Sequence, residues 1–371
     1  MEHEIKKEID FESCVATENQ SQSHTTNMSI TEIKIKDKGE PQQKECTVSK
    51  TMTQILDTEY ECQLSVVEQL LFPGCYLLVG APKIGKSFFC MQLATDISCG
   101  RDFLDYFKVE KSEVLYYALE DTEVRIQKRY TTMNGFGDND FFHVIWNINL
   151  ANAEFEKEIM RELKIYPNIK IVIIDTLQRA RASCYSENSN AYDADYNFVA
   201  HLKKLADIKS ICILLVHHTR KKYAEDVFDE ISGTNGLLGA ADGAMILKKD
   251  KRNQNTAILT VTGRDVPDQE LRLCMEQDTH KWVIKEVLND QVYRQEDELV
   301  LEIVSFVRMN NGEWTCTYPQ LLMELKEKDK YTNSTLSRKI NTLCSVLRSD
   351  YGIEFETKKK STGKIIRFFE N

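Results

Sequence analysis

Tyr76-Leu77-Leu78-Val79-Gly80-Ala81-Pro82-Lys83-Ile84-Gly85-Lys86-Ser87-Phe88 joins a short apolar run to a stretch of helical character, Ser87 to Ser98. Its middle fits G-x-x-x-x-G-K-S, the pattern of a loop that wraps phosphates with backbone N–H groups and the N-terminus of the next helix. The residue types follow from the charge to be held. Gly80 and Gly85 let the backbone close tightly, Lys86 offers an ammonium to β- and γ-phosphates, and Ser87 offers a hydroxyl to Mg²⁺. The expected nucleotide contacts are Gly80, Ala81, Pro82, Lys83, Ile84, Gly85, Lys86, Ser87 and Phe88, with ATP or GTP as ligand. An ordinary glycine-containing loop is the bland alternative, and the preceding strand-like run argues against it.

Outward from this loop, apolar runs of strand length alternate with helical segments. The runs are Cys75 to Val79, Val114 to Leu119, Phe142 to Trp146, Lys170 to Ile174 and Ile211 to Val216. They are continuous rather than alternating, as parallel strands buried on both faces require. Asp121 to Met133, Asn152 to Tyr166 and Ala191 to Lys209 have helical spacing, which predicts a doubly wound α/β sheet. After His218, four strand-like segments follow with short turns: Ala244 to Lys248, Ala257 to Thr262, Leu271 to Met275 and Lys281 to Ile284. These read as antiparallel additions to one edge.

Two carboxylates stand where such a sheet would place chemistry. Ile171-Val172-Ile173-Ile174-Asp175 ends a strand in an Asp able to orient water on Mg²⁺, although many buried strands end in an Asp that only caps a turn. Val114 to Asp121 ends in Glu120-Asp121. A Glu here can orient or deprotonate the water that attacks a γ-phosphate, while Asp121 or Thr122 caps the following helix.

Composition bounds the rest. The chain has 371 residues, enough for about two domains, and a net charge of −10 that confines any nucleic-acid contact to local patches. Its 11 cysteines never take a C-x-x-C spacing and several lie inside apolar runs, which suits buried thiols in a reducing compartment. Met1 to Asp10 is charged, and no apolar run approaches the roughly 20 residues of a membrane span, so a cytoplasmic protein without membrane contact is expected. Residues 1–50 are polar without an apolar period and read as a disordered tail.

Glu120, the stretch Ile174-Asp175-Thr176-Leu177-Gln178-Arg179, and Val216-His217-His218-Thr219-Arg220-Lys221 together resemble the RecA-like ATPases of the plasmid RepA hexameric helicase type. So does Ile231-Ser232-Gly233-Thr234-Asn235-Gly236-Leu237-Leu238-Gly239-Ala240-Ala241-Asp242; the resemblance spans roughly residues 52 to 288. That family is common on plasmids, phages and integrative elements. The resemblance implies a RecA-like P-loop ATPase over residues 51–289, with ATP and Mg²⁺ as cofactors. Lys86 and Ser87 would hold nucleotide and metal, Asp175 would support the metal, and Glu120 would be the catalytic carboxylate. His218, ahead of His217, would sense the γ-phosphate; the alternative for both imidazoles is a plain role at the sheet edge. The resemblance further implies a homo-hexamer or other ring with shared sites. Leu259-Thr260-Val261-Thr262-Gly263-Arg264 is similar to the strand that carries the neighbour's basic finger. Arg264 is the finger expected, the lysine usual two residues earlier is Thr262, and Lys248, Lys249 or Arg252 stands as a substitute. Two loops would face the ring axis and hold single-stranded DNA, Thr176 to Asn190 with Arg179 and Arg181, and Thr219 to Ser232 with Arg220, Lys221, Lys222 and Tyr223. Solvated loop charge is the alternative for these.

Residues 290–371 read as three helices and a hairpin, which resembles a winged helix domain. Leu336, Ile340, Leu343, Cys344 and Leu347 share one face of the third helix, and a basic turn, Lys358 to Gly363, joins the hairpin. Arg338, Lys358, Lys359 and Lys360 are the expected contacts to duplex DNA; docking of a replication protein is the other reading. The whole reads as a DNA-stimulated ring ATPase, a replicative helicase of a mobile element. A nucleotide-switched DNA-binding regulator and a loader for another replication protein are the alternatives.

Overall fold

The computed structural model describes residues 49–58, 64–148, 155–182, 191–218, 235–250, 255–288, 297–360 and 363–370. The chain divides into two units, Met1–Thr51 and Met52–Asn371. The tail expected over residues 1–50 lies outside the described residues except at its last two positions, as does the join expected at residue 289.

The second unit opens with a short helix, α1 (Met52–Leu56), and then alternates β1 (Gly74–Gly80), α2 (Lys86–Cys99), β2 (Glu113–Ala118), α3 (Glu123–Asn134), β3 (Phe142–Ile145), α4 (Phe155–Ile165) and β4 (Ile169–Asp175). It continues through α5 (Leu177–Ala182), α6 (Ala191–Lys209), β5 (Cys212–His218), α7 (Asn235–Ala240), β6 (Gly243–Lys249), β7 (Thr256–Gly263), β8 (Gln269–Met275) and β9 (Trp282–Val287). These strands form a nine-stranded sheet in the order β3-β2-β4-β5-β1-β6-β7-β8-β9. The parallel part extends one strand further than the sequence suggested. β6, expected as the first antiparallel addition, runs parallel to β1 from Tyr76 opposite Gly243 to Gly80 opposite Leu247, and only β7 to β9 are antiparallel. An apolar run flanked by turns does not encode direction; the connection from β5 through α7 returns the chain to the starting end of the sheet and fixes it.

Side chains alternate across the strands and divide the core into two layers. Tyr76, Leu78, Val114, Tyr116, Ile171, Ile173, Leu214 and Val216 pack under α2 with Phe89, Met91 and Leu93. Leu77, Val79, Leu115, Tyr117, Val172, Ile174, Ile213 and Leu215 face α4 and α6 through Phe155, Ile159, Val199 and Leu202. Both faces being covered is what makes the runs continuous in apolar character. The fold is an α/β, doubly wound, mostly parallel sheet of the RecA-like P-loop class.

The remaining chain has its own core and sheet. α8 (Glu298–Met309), β10 (Glu313–Thr317), α9 (Tyr318–Glu324), α10 (Asn333–Thr342), α11 (Cys344–Tyr351), β11 (Ile353–Lys360) and β12 (Gly363–Glu370) enclose Ile303, Leu321, Leu336, Ile340, Leu347 and Phe368. The strand order is β10-β12-β11, all antiparallel. The expected third helix is two, broken at Leu343, and β10 adds a third strand to the hairpin. Thr317 and Thr332 each start a helix with a capping box, so local polar signals decide these boundaries where the apolar period runs on. Lys358 to Lys360 lie on β11 rather than in a turn, and residues 361–362 lie outside the described ones.

Candidate functional site

The carboxyl ends of β1, β2, β4 and β5 converge, and the predicted chemistry converges with them. Gly80 ends β1 with no room for a side chain: a Cβ there would stand 2.6 Å from the Leu247 carbonyl oxygen. Gly85 closes the loop at φ 106°, where a Cβ would also strike Met275 and Trp282. Trp282 supports the loop from behind. Its indole N–H donates to the Gly85 carbonyl at 3.3 Å, and its backbone exchanges two hydrogen bonds with the Gln92 amide, at 2.9 and 2.8 Å. Thus β9 clamps α2 and the loop together. Phe88 leaves the loop between the His280 ring, 5.0 Å away, and the Arg129 guanidinium, 5.3 Å from its centroid.

Lys86 is 5% exposed. Its ammonium donates to the carbonyls of Gly80 (2.7 Å) and Ala81 (3.0 Å) and to His218 Nδ1 (3.0 Å). Burial pulls the Lys86 pKa below its ordinary value, opposed by the charge of Asp175. Register explains which histidine is involved: His218 lies opposite Gly80 and His217 opposite Val79, so the two imidazoles leave β5 on opposite faces. Burial and then the Lys86 charge hold His218 below the usual imidazole range. An ammonium only donates, so Nδ1 accepts and the ring proton sits on Nε2. His217 is buried on the other face; burial raises the Asp195 carboxyl pKa, and the charges of Arg181 and then His217 oppose that rise.

Asp175 is 5% exposed and accepts on Oδ2 from Ser87 Oγ at 2.7 Å and from the Tyr116 hydroxyl at 3.0 Å. Burial raises its pKa above the ordinary carboxylate range; the two hydrogen bonds pull it back. The Asp175–Thr176 peptide is cis. One residue on, Thr176 Oγ1 donates to Glu120 Oε1 at 2.9 Å, which holds Glu120 beside Asp175 on the adjacent strand. Glu120 caps nothing in α3. Thr122 does that, accepting from the Arg125 N–H, while Asp121 is engaged by Arg125 at 3.1 Å and by Arg129. The two neighbouring carboxylates are therefore separated by role: one is held by cations, the other faces the loop.

These groups fit a nucleoside triphosphate and Mg²⁺. The loop offers glycine-walled backbone and a buried ammonium, and Ser87 with Asp175 supplies two hard oxygen ligands within hydrogen-bond distance of each other. Among the described residues no group of three or more His, Cys, Asp or Glu side chains could hold a metal. Mg²⁺ uses one or two protein oxygens and completes its shell with phosphates and water, and Ser87 and Asp175 could supply those two.

Arg264 lies elsewhere. Gly263 pairs with Gly243 at the start of β6, so Arg264 stands at the amino end of the parallel strands. The seven residues of β1 separate it from the loop, about 20 Å at strand rise. Its guanidinium donates to the Gly239 carbonyl at 3.2 Å and lies 3.6 Å from Asp242, which also binds Lys203 and the Cys75 N–H. Lys248 and Lys249 are on β6, and Arg252 lies outside the described residues. Of the expected DNA contacts, Arg179 and Arg181 lie on α5 rather than in a loop, because Thr176 is followed directly by a helical turn. Arg179 is exposed, and Arg181 pairs with Asp195 at 2.8 Å. Arg220, Lys221, Lys222 and Tyr223 fall outside the described residues. In the carboxyl-terminal module Lys358 pairs with Glu356 at 3.1 Å, Lys359 is exposed, and Arg338 binds Asp57.

Sequence reasoning missed Tyr116, Thr176 and Trp282. Tyr116 was findable: Ala118 lies opposite Asp175, so a polar group two residues earlier on the same face falls on the diagonal. Trp282 meets a loop nearly 200 residues away in sequence, and no local pattern signals it.

Residues 42–224 match the model of the AAA domain family. No curated protein sequence matches the chain. Among solved structures it is similar to a DnaB-like replicative helicase described with its interactions with primase, at 15% identity and a TM-score of 0.46 over 57% of this chain. The chain spans 58% of that helicase's length. A KaiC-like protein from the archaeon Pyrococcus horikoshii is similar at 13% identity and a TM-score of 0.43, over 62% of this chain and 99% of its own. Sheet order and phosphate loop, with the AAA domain match over residues 42–224, give the chain a P-loop fold of the RecA-like class.

Proposed function

We propose that this chain is an ATP-dependent ring ATPase stimulated by single-stranded DNA, serving as a replicative DNA helicase of a plasmid, phage or integrative element. The observation that carries the reading is the placement of Glu120, held by Thr176 at 2.9 Å and free of helix capping, beside the Asp175–Ser87 pair. In this reading Lys86 leaves the loop carbonyls for the β- and γ-phosphates, and Glu120 orients the attacking water and takes its proton. Bound Mg²⁺ neutralises developing charge on the phosphates. Ser87 and Asp175 would hold that ion, with Tyr116 fixing the carboxylate. His218, whose Nδ1 faces Lys86, would register the γ-phosphate when the ammonium moves.

Arg264 cannot serve the loop of its own chain across about 20 Å of strand. It suits a neighbour's site in a homo-hexamer or other ring, where a basic finger stabilises charge on the transferred phosphoryl group. Residues 219–232 and α5 would present Arg179, Arg220, Lys221 and Lys222 to single-stranded DNA. The module from α8 onward is read as a winged helix that binds duplex DNA or a replication protein. No helix among the described residues is long and apolar enough to cross a membrane; a cytoplasmic protein follows from the proposed role.

Steady-state ATPase measured with and without single-stranded DNA tests the reading. Stimulation by DNA that is absent in Glu120→Gln, with nucleotide binding retained, is expected. Substantial hydrolysis by Glu120→Gln overturns the assignment of the base. Equal rates with and without DNA overturn the motor.

A further inference from the structure

The basic face of α10 is already in contact with an acidic group, and that group comes from the start of the same unit. Leu336 and Ile340 turn inward to the module's core, which leaves Ser337, Arg338 and Asn341 on the outer side. There they line a cleft of about 510 Å³ with Lys364 of β12 and with Leu56 and Asp57 at the end of α1. Arg338 donates twice to one carboxylate oxygen of Asp57, from Nε at 2.9 Å and from Nη2 at 2.7 Å. The guanidinium that donates to this carboxylate can equally donate to a phosphate, since its planar fork of N–H groups suits both anions.

The element that brings Asp57 is weakly held. α1 has no buried residue, and Met52, Ile55 and Leu56 are exposed. Asp57 is itself half exposed, so the ion pair is of the kind that contributes little to stability and exchanges easily. Of the other cations near α10, Lys339 pairs with Asp297 at 2.6 Å, and the Lys364 ammonium lies over the Tyr318 ring at 5.7 Å.

We propose that the outer face of α10, centred on Arg338 with Lys364 beside it, is a docking surface for the phosphate backbone of duplex DNA, and that α1 covers it in the free protein with Asp57 in the phosphate position. Duplex binding displaces α1, which couples the carboxyl-terminal module to the segment that leads into the phosphate-loop domain. The proposal rests on reading the chain as a DNA motor, and it assigns the state of the duplex face to a single contact.

The test is fluorescence anisotropy of a labelled duplex titrated with the full chain, comparing wild type, Asp57→Asn, Arg338→Ala and the double variant at one low salt concentration. Releasing an exposed pair should tighten binding by Asp57→Asn by about two- to fivefold. Arg338→Ala should weaken binding, and Asp57→Asn should have no effect in its background. Unchanged affinity for Asp57→Asn, or tightening that persists without Arg338, overturns the covering role. Absence of duplex binding by every variant overturns the docking surface. ATPase stimulation by single-stranded DNA, measured on the same preparations, reads the motor separately, so failure of the surface is distinguishable from failure of the motor.

Discussion

Tyr116→Phe isolates one hydrogen bond at the centre of the site. The ring is fully buried and Phe keeps its packing, so the change removes only the hydroxyl that donates to Asp175 at 3.0 Å. A hydrogen bond to a charged partner contributes about 1.5–3 kcal/mol, against about 1 kcal/mol to a neutral one. Burial raises the Asp175 pKa and Tyr116 opposes that rise, so losing the hydroxyl raises it further. The sign follows. A carboxyl with a raised folded pKa binds more protons folded than unfolded, so stability falls as pH climbs from its unfolded value of 3.8 through the folded one. The deficit of Tyr116→Phe should therefore be largest above the raised pKa and shrink toward about 1 kcal/mol below it. In a domain of this size each kcal/mol moves Tm by about 2–4 °C, so a drop of about 3–12 °C is expected above that pKa. Thermal unfolding followed by circular dichroism at several pH values reads it. A deficit independent of pH, or none, refutes the reasoning, because Asp175 would then not be a charged acceptor of that hydroxyl.

Two further outcomes follow from the same geometry. Trp282→Ala removes a buried indole and should destabilise by about 3–5 kcal/mol in denaturant unfolding; it also loosens Gly85, so KM for ATP should rise more than kcat falls in steady-state kinetics. Arg264→Ala and Lys86→Ala subunits, each inactive alone, should regain part of their ATPase activity on mixing if the site is shared between neighbours, and no recovery in demonstrated mixed oligomers counts against Arg264.

Much of the site was legible because it is built from strand ends. A continuous apolar run that stops at a carboxylate places that residue at the end of the sheet, and Glu120 and Asp175 were readable for that reason, whereas His218 came with the family resemblance. The local pattern left His217 and His218 nearly equal; only the pairing of His218 with Gly80 puts it beside Lys86. Direction in the sheet was less legible, since β6 has the same short apolar signature whether it runs parallel or antiparallel. In the small module the apolar period of Leu336, Ile340, Leu343 and Leu347 continued across a break at Leu343, because both helices bury the same face in one core. Supporting contacts such as Trp282 on Gly85 depend on long-range packing, which periodicity does not carry.

In the proposed function Glu120 and the phosphate loop drive movement on DNA. Strand displacement from a forked duplex, followed with ATP and Mg²⁺, tests it most directly. Release of the labelled strand by the wild-type chain, and none by Glu120→Gln that still binds nucleotide, is the predicted result; hydrolysis of ATP by the wild type on that fork without any strand release would contradict it.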